Sequence, residues 1–535
     1  MGAGINVRCW LRAPLVDKFG CHDQSPASRI LPNLDSYAPS AALGLAKGIP
    51  WRRKLHDSLP AFVLALGLAL APTPAHSAGS SPSPARLIAD LGFAGGDVGF
   101  LLVDLQSGEV LAESAADQLF MPASVAKLAT GYSAEQNLGP DYRFSTSLFR
   151  RGADVYLQGG GDPVLTANDL QTLAAQLRAA KVDGAGGRFF YDDRLMPALP
   201  EVSNSQPVAT PYNAGLGPLN VDFNRIEVTW SRPSGGAGVI FRVRTVADGL
   251  ILPCDWITFA PAVSELPPGA PFVYAGGGMI DRWQYSKLLP EHGNTFLPVR
   301  GTSLHTALVF RQLALAAGVA LPVPEPGHAP VNAIAIGRVD SPPLSEILTG
   351  LLRYSNNGEA ELIGLAASHK LTGRSLSLAE SGEALTLWLT QRLPGTDWRG
   401  FHLENHSGLS TKTRMSPRQM LSLLNLIARD PSLMAALPRR EEDGGIADPT
   451  RMTDARPIAG KSGTMDYARG LAGFFPARDG RPLAFAIFIF DARRRAQLDA
   501  TMDRRILAPS PAAQLWTHRA RALDNALLKA WMAKF

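Results

Sequence analysis

Met121-Pro122-Ala123-Ser124-Val125-Ala126-Lys127 is the stretch on which the reading of this 535-residue chain turns. It sets a serine and a lysine three residues apart at the mouth of a helix. Pro122 stands just ahead of the helical run, and Leu128, Ala129, Tyr132 and Leu138 continue it at helical spacing. Residues i and i+3 share a helix face, so the hydroxyl and the amine can meet. A free serine is a poor nucleophile, and a free lysine, with a pKa of about 10.4, is a poor base. In a dry site the lysine loses its proton and can take one from the serine. The helix N-terminus also favours negative charge developing beside it. Ser-x-x-Lys arises by chance in most long chains, so its weight depends on partner motifs further along the chain.

Downstream, Tyr354-Ser355-Asn356-Asn357 precedes a helical run from Glu359 to Leu371. Ser355 and Asn357 both donate and accept hydrogen bonds, so together they can bridge a lysine and a substrate amide. The plainer reading is a helix N-cap at Ser355 or Asn357. A third stretch is Ala459-Gly460-Lys461-Ser462-Gly463-Thr464, a glycine-rich edge. Arg469 to Phe475 and Leu483 to Asp491 come after it as neighbouring antiparallel strands. Lys461 and Ser462 can hold a carboxylate, and the Thr464 N–H can face an oxyanion. Gly463 would let a substrate backbone approach. The plainer reading is a turn with a surface lysine.

Composition bounds the rest. With 46% hydrophobic and 19% charged residues, the chain is globular, and its length implies more than one domain. The net charge of +5 comes mostly from the N-terminal region. Residues 1–78 hold eight Lys/Arg and four Asp/Glu, which leaves the remainder at 44 basic against 43 acidic. Nucleic acid is therefore not an expected partner. Trp51-Arg52-Arg53-Lys54, the apolar run Ala61 to Ala71 and the small residues Ala75, Ser77 and Ala78 read as a secretory leader, preceded by an N-terminal extension. Export with cleavage near 77 or 78 would leave Cys254 alone among Cys9, Cys21 and Cys254, so no internal disulfide is expected. The scattered histidines offer no metal spacing, and no phosphate loop comes after a strand, so neither metal nor cofactor is implied.

Beyond a Ser/Pro/Gly linker at 79–84, a helix is expected over Ala85 to Leu91. A hairpin comes next, Gly99 to Asp104 and Val110 to Ala112, directly ahead of the Ser124 helix. From about Tyr142 to Pro330 short strands alternate with Gly, Pro and Asp turns. They are Phe144 to Phe149, Asp154 to Leu157, Arg188 to Tyr191, Arg225 to Trp230 and Val239 to Val243, interrupted by one helix, Ala167 to Ala180.

Ser-x-x-Lys, Ser-x-Asn and Lys-Ser/Thr-Gly in that order form the three-part signature of the penicillin-recognising serine peptidases and β-lactamases. Ser355 lies 231 positions after Ser124, a gap far longer than in class A β-lactamases. That long β-rich insertion resembles the D-alanyl-D-alanine carboxypeptidases/endopeptidases of the type-4 (class C low-molecular-weight) penicillin-binding proteins. Leu138 to Phe144, Gly159 to Pro163, Pro218 to Asn224, Ser407-Gly408-Leu409-Ser410 and Gly470 to Phe474 resemble that family too. The resemblance runs from about residue 85 to the C-terminus and is patchy between 235 and 300. Two departures stand out: Asn356 where many relatives carry Asp, with a consequence expected for the lysine's charge balance, and Ser462 where they carry Thr.

The resemblance implies an α+β fold, a DD-peptidase-like sandwich of an antiparallel sheet flanked by helices. It implies a discontinuous peptidase domain at 79–145 plus 341–535, an inserted domain at 146–235 plus 290–340, and a small nested domain at 236–289. It implies an exported, periplasmic hydrolase of peptidoglycan stem peptides that β-lactams acylate. In it Ser124 would be the nucleophile, Lys127 the general base and Ser355 a proton relay tuned by Lys461. Asn357 would hold a substrate amide, Ser462 and Thr464 the terminal carboxylate, and the N–H groups of Ser124 and Thr464 the oxyanion. The rival readings are a β-lactamase or esterase on the same scaffold, and a non-catalytic envelope protein that binds peptidoglycan or β-lactam. In the C-terminal helix, Pro511 to Lys534, Leu515, Trp516, Leu523, Leu527 and Trp531 lie near one face. That face either packs on the sheet, as the family implies, or makes a peripheral membrane contact.

Overall fold

The computed structural model describes residues 82–535 apart from 183, 234–237, 248, 278–280 and 440–455. The leader and extension expected over 1–78 lie outside the described residues.

The apolar run Pro482–Phe490 shows how the centre is built. Leu483, Phe485, Ile487 and Ile489 point to one side of it, and Ala484, Ala486, Phe488 and Phe490 to the other. Both sides are buried, so the strand reads as continuous apolar sequence rather than as an alternation. It sits in the middle of a five-stranded antiparallel sheet ordered Ala459–Met465, Ala468–Pro476, Pro482–Phe490, Val98–Asp104, Val110–Ser114. The expected hairpin supplies the last two strands.

One face of the sheet packs on the terminal helices Pro84–Asp90 and Pro511–Lys534. Trp516, Leu523, Leu527 and Trp531 are buried there, whereas Leu515, expected on the same face, is 60% exposed. The packing reading of this helix holds for the four buried residues, and Leu515 points away because it precedes Trp516 by about 100° of helical turn. The opposite face carries a cluster that includes Lys127–Leu138, Leu344–Tyr354, Asn357–Thr372, Leu378–Arg392 and Pro417–Ile427. Lys127–Leu138 and Asn357–Thr372 are buried along most of their length, so neither is amphipathic. Polar residues inside them are therefore buried polar residues. No helix among the described residues is long and apolar enough to cross a membrane.

The inserted segment adds three more sheets. Pro324–Pro326, Phe189–Asp192, Asp154–Gln158, Ser145–Arg151 and Ile334–Asp340 form a mixed sheet under the helices Ala167–Ala179 and Thr302–Ala316. The second of these helices is not expected from sequence. It shows the helical pattern Thr306, Val309, Phe310, Leu313 and Ala314, all buried, inside a region dominated by turn residues. His292–Pro298, Arg225–Ser231, Ile240–Ala247 and Leu250–Pro253 form an antiparallel sheet, and Phe272–Tyr274, Asp281–Tyr285 and Ile257–Pro261 a smaller one. Arg225–Ser231 pairs with Ile240–Ala247, so a division between residues 235 and 236 cuts through a hydrogen-bonded sheet. Boundaries near 224 and 299 keep every sheet among the described residues whole.

Candidate active site

Ser124 lies in a short 3-10 turn, Ala123–Ala126, that runs into the Lys127–Leu138 helix. Ala123 ahead of it is left-handed, at φ 49°, a conformation that costs a non-glycine residue about 1–2 kcal/mol. Close neighbours hold the turn in place. A methyl group on Gly408 would lie 2.0 Å from Ala123 O, one on Gly470 2.6 Å from Pro122 O, and one on Gly463 2.6 Å from Ser124 N. Gly463 is thus needed where the edge strand meets the backbone of Ser124. On the side that a Cβ would take, the Ser124 turn lies against it.

Lys127 is fully buried, and its Nζ has three neighbours. Ser124 Oγ lies at 3.0 Å, Asn357 Oδ1 at 2.8 Å and the Ser407 carbonyl oxygen at 2.8 Å. Two of the three are carbonyl oxygens and can only accept. A neutral amine has two N–H groups and one lone pair, so donating to both carbonyls leaves the lone pair for the Ser124 O–H. Charge favours that state. Burial, and then the neighbouring Lys461, hold the Lys127 amine well below the ordinary lysine range, against the opposing pull of Glu361 and Glu359.

The Ser407 carbonyl is aimed from behind. Glu361, buried one helical turn beyond Asn357, accepts the backbone N–H of His406 at 2.8 Å and of Ser407 at 3.0 Å. Thr130 Oγ1 donates to the His406 carbonyl at 2.7 Å, and the His406 ring meets Ser381 Oγ at 2.7 Å. Burial pushes His406 down to about 3, so it stays a neutral hydrogen-bonding group.

Ser355 and Asn356 form the joint between two helices. Ser355 ends Leu344–Tyr354 in the left-handed conformation, at φ 60°, and Asn356 caps Asn357–Thr372 by accepting the Glu359 N–H. The cap expected at Ser355 or Asn357 therefore falls on the residue between them. Ser355 closes the previous helix through its backbone, its N–H donating to the Leu351 carbonyl, and Asn357 is already the first helical residue. An Asp at position 356 would cap the same way. The carboxylates that act on Lys127 are Glu361 and Glu359, not one at position 356. Asn357 is engaged at both ends: Oδ1 accepts from Lys127, and Nδ2 donates to the Tyr212 carbonyl at 3.1 Å. Tyr212 comes from the inserted segment.

Lys461 and Ser462 are buried in the edge strand, at 1% and 8% exposure, while Thr464 is exposed. The plainer reading of a surface lysine fails for Lys461. Sequence reasoning does not assign parts to Tyr212, Glu359, Glu361 or Arg469, nor a purpose to Ser407. Among the described residues no cluster of three or more His, Cys, Asp or Glu is arranged to hold a metal.

A buried amine 3.0 Å from a serine hydroxyl suits attack of that serine on an acyl carbonyl, and it is the arrangement of the serine–lysine acyl hydrolases. The chain belongs to the D-Ala-D-Ala carboxypeptidase 3 (S13) family, whose model matches residues 85–256 and 300–506. The unmatched stretch falls where the resemblance in sequence is patchy. The chain is 28% identical over 443 residues to a D-alanyl-D-alanine carboxypeptidase of Actinomadura sp. (strain R39), covering 75% of this chain and 79% of that one. It is 22% identical over 429 residues to the D-alanyl-D-alanine carboxypeptidase DacB of Haemophilus influenzae, covering 74% and 85%. The crystal structure of penicillin binding protein 4 (dacB) from Haemophilus influenzae superposes with a TM-score of 0.66 at 19% identity, over 84% of this chain and 99% of that one. The family and the DD-peptidase-like fold expected from the three motifs are both met.

Proposed function

We propose that this chain is a serine DD-carboxypeptidase and DD-endopeptidase acting on D-Ala-D-Ala bonds, and on D-Ala–diaminopimelate cross-links, of peptidoglycan stem peptides. The observation that carries the reading is the Lys127 amine, buried between two carbonyl oxygens and 3.0 Å from Ser124 Oγ. Family membership and the carboxypeptidase relatives support the same reaction.

Ser124 Oγ attacks the carbonyl between the two terminal D-alanines as its proton passes to Lys127 Nζ. The N–H groups of Ser124 and Thr464 receive the oxyanion, each donor contributing about 2.7–4 kcal/mol in comparable acyl transfers. The proton returns to the leaving amine with Ser355 as relay and Lys461 tuning it, and the terminal D-alanine departs. Asn357 fixes the lysine, and the Nδ2 hydrogen not given to Tyr212 is the one that meets a substrate amide carbonyl. Ser462 and Thr464 take the terminal carboxylate. Water then attacks the acyl-serine and restores the enzyme. A β-lactam presents the same carbonyl in a ring and leaves a slowly hydrolysed acyl-serine; a Haemophilus influenzae penicillin binding protein 4 has been solved complexed with a β-lactam. Action on peptidoglycan, with the leader expected over 51–78, supports a periplasmic location.

The test is intact-protein mass spectrometry after incubation with benzylpenicillin, beside Ser124→Ala, with subsequent digestion of purified stem peptides. A lasting penicilloyl adduct on Ser124 and release of D-alanine are expected. Fast drug hydrolysis without adduct would place the chain with the β-lactamases. Neither adduct nor hydrolysis would leave a binding protein.

A further inference from the structure

Arg469 is an arginine buried to 1% exposure directly behind the exposed Thr464. The two residues face each other across adjacent antiparallel strands, so their side chains share one side of the sheet. Arg469 Nε donates to Asp524 Oδ2 at 2.7 Å, and Nη1 donates to Thr464 Oγ1 at 2.9 Å. Asp524 comes from the C-terminal helix and is fully buried. The pair thus joins the terminal helix to the edge strand.

The direction of the second bond has a chemical consequence. A guanidinium has N–H donors and no acceptor, so Thr464 Oγ1 must accept. A hydroxyl that accepts on one lone pair from a cation has its own hydrogen left to donate, and donates more strongly through the chain of bonds. Thr464 is exposed on its outer side, where that hydrogen can meet an anion. Asp524 neutralises the arginine, which lets a full positive charge remain buried, and its bond to Nε orients the rest of the fork.

We infer that Arg469, held by Asp524, is a specificity-determining residue: it fixes Thr464 as a hydrogen-bond donor and so selects substrates whose leaving D-amino acid carries a free α-carboxylate over those in which that carboxylate is amidated. The assignment rests on the peptidase reading above and deepens it. Cross-link cleavage falls under the same rule, because the leaving centre there also carries a carboxylate or its amide.

The experiment compares steady-state cleavage of diacetyl-L-Lys-D-Ala-D-Ala and of its C-terminal carboxamide by the full chain and three variants. Arg469→Lys keeps the charge pair with Asp524 but loses the fork that reaches Thr464. The double variant Arg469→Met, Asp524→Leu removes both charges together, so no buried charge is stranded. Thr464→Val leaves the buried pair intact. The wild type is expected to prefer the carboxylate. All three variants should raise KM for it, by roughly ten- to a hundredfold where the bond is wholly lost; in Arg469→Lys and the double variant KM for the carboxamide stays within about twofold and kcat is kept, while Thr464→Val is read only for its loss of preference for the carboxylate. Equal losses on both substrates would make Arg469 a merely structural residue and overturn the assignment, as would unchanged selectivity in Arg469→Lys and the double variant. A wild type that cleaves neither substrate would overturn the peptidase reading itself, an outcome separate from the other two.

Discussion

Gly463 stands so close to Ser124 that a methyl group on it would sit 2.6 Å from the serine's backbone nitrogen. The nearest obstacles are backbone atoms of Pro122, Ser124 and Val125, which cannot rotate aside. Gly463→Ala should therefore push the Ser124 turn away from the edge strand. The expected result is a benzylpenicillin acylation rate lower by about a hundredfold, the scale of an ångström of misplacement, measured by stopped-flow quenching or adduct mass.

Lys127 must be neutral to receive the serine's proton. Its depressed pKa means that the neutral form survives to lower pH than in an ordinary lysine. Acylation should persist to pH values at which an ordinary lysine would already be protonated and fall as pH drops through the depressed value, when the amine gains its proton. A profile of acylation rate against pH checks this. An acid limb still near pH 10 would contradict it. Lys127→Met should remove acylation at every pH.

Glu361 receives two backbone N–H groups at once. A glutamine offers one acceptor oxygen and sets an NH2 group against the other donor. Glu361→Gln should cost about 1–3 kcal/mol of stability, the scale of one buried donor left unmet. It should also slow acylation, because the Ser407 carbonyl loses its support. Urea denaturation with parallel acylation kinetics separates the two effects.

Glu359 is buried with one carboxyl oxygen lacking a hydrogen-bond partner among the described residues, and burial pushes its pKa up to about 8 from the 4.5 of an ordinary glutamate. The folded chain keeps this proton through a range in which the unfolded chain releases it. The resulting stability is fully present below about pH 4.5 and is lost as pH rises towards 8. Glu359→Gln should flatten that dependence. Melting temperatures of both proteins across pH 5–8 should show the wild type declining relative to the variant; parallel curves would refute it.

The parts of the site legible in the sequence are those whose chemistry sits in a few consecutive residues. Ser124 and Lys127 meet because helical spacing brings them together, and the Lys461 edge announces itself through glycines and neighbouring apolar runs. The remainder depends on residues far apart in the chain. Ser407 touches Lys127 across 280 positions and does so with a carbonyl, which every residue possesses. Asp524 meets Arg469 across 55 positions, between a helix and a strand whose registry no local pattern gives. The cap at Asn356 is obscured for another reason. Ser355, Asn356 and Asn357 can all cap a helix, and the choice among them depends on where the Leu344–Tyr354 helix stops. Much of the fold is visible through the hairpin, the first inserted strands and the terminal helix. Thr302–Ala316 escapes notice in turn-rich surroundings, and sequence divides the nested sheets in the wrong place because their pairing is non-local.

The Asn357–Tyr212 hydrogen bond bears on whether the long insertion is a removable module. Its two ends are adjacent, since Ser145 and Asp340 are partners in neighbouring strands joined by a 2.6 Å side-chain bond. Judged by connectivity alone, excision there would close neatly. The Tyr212 carbonyl, however, reaches from within the insertion to the amide that holds Lys127. A chain shortened by cutting at that seam would strand this amide, so the insertion helps to hold Lys127 in place as much as the sheet beneath it does.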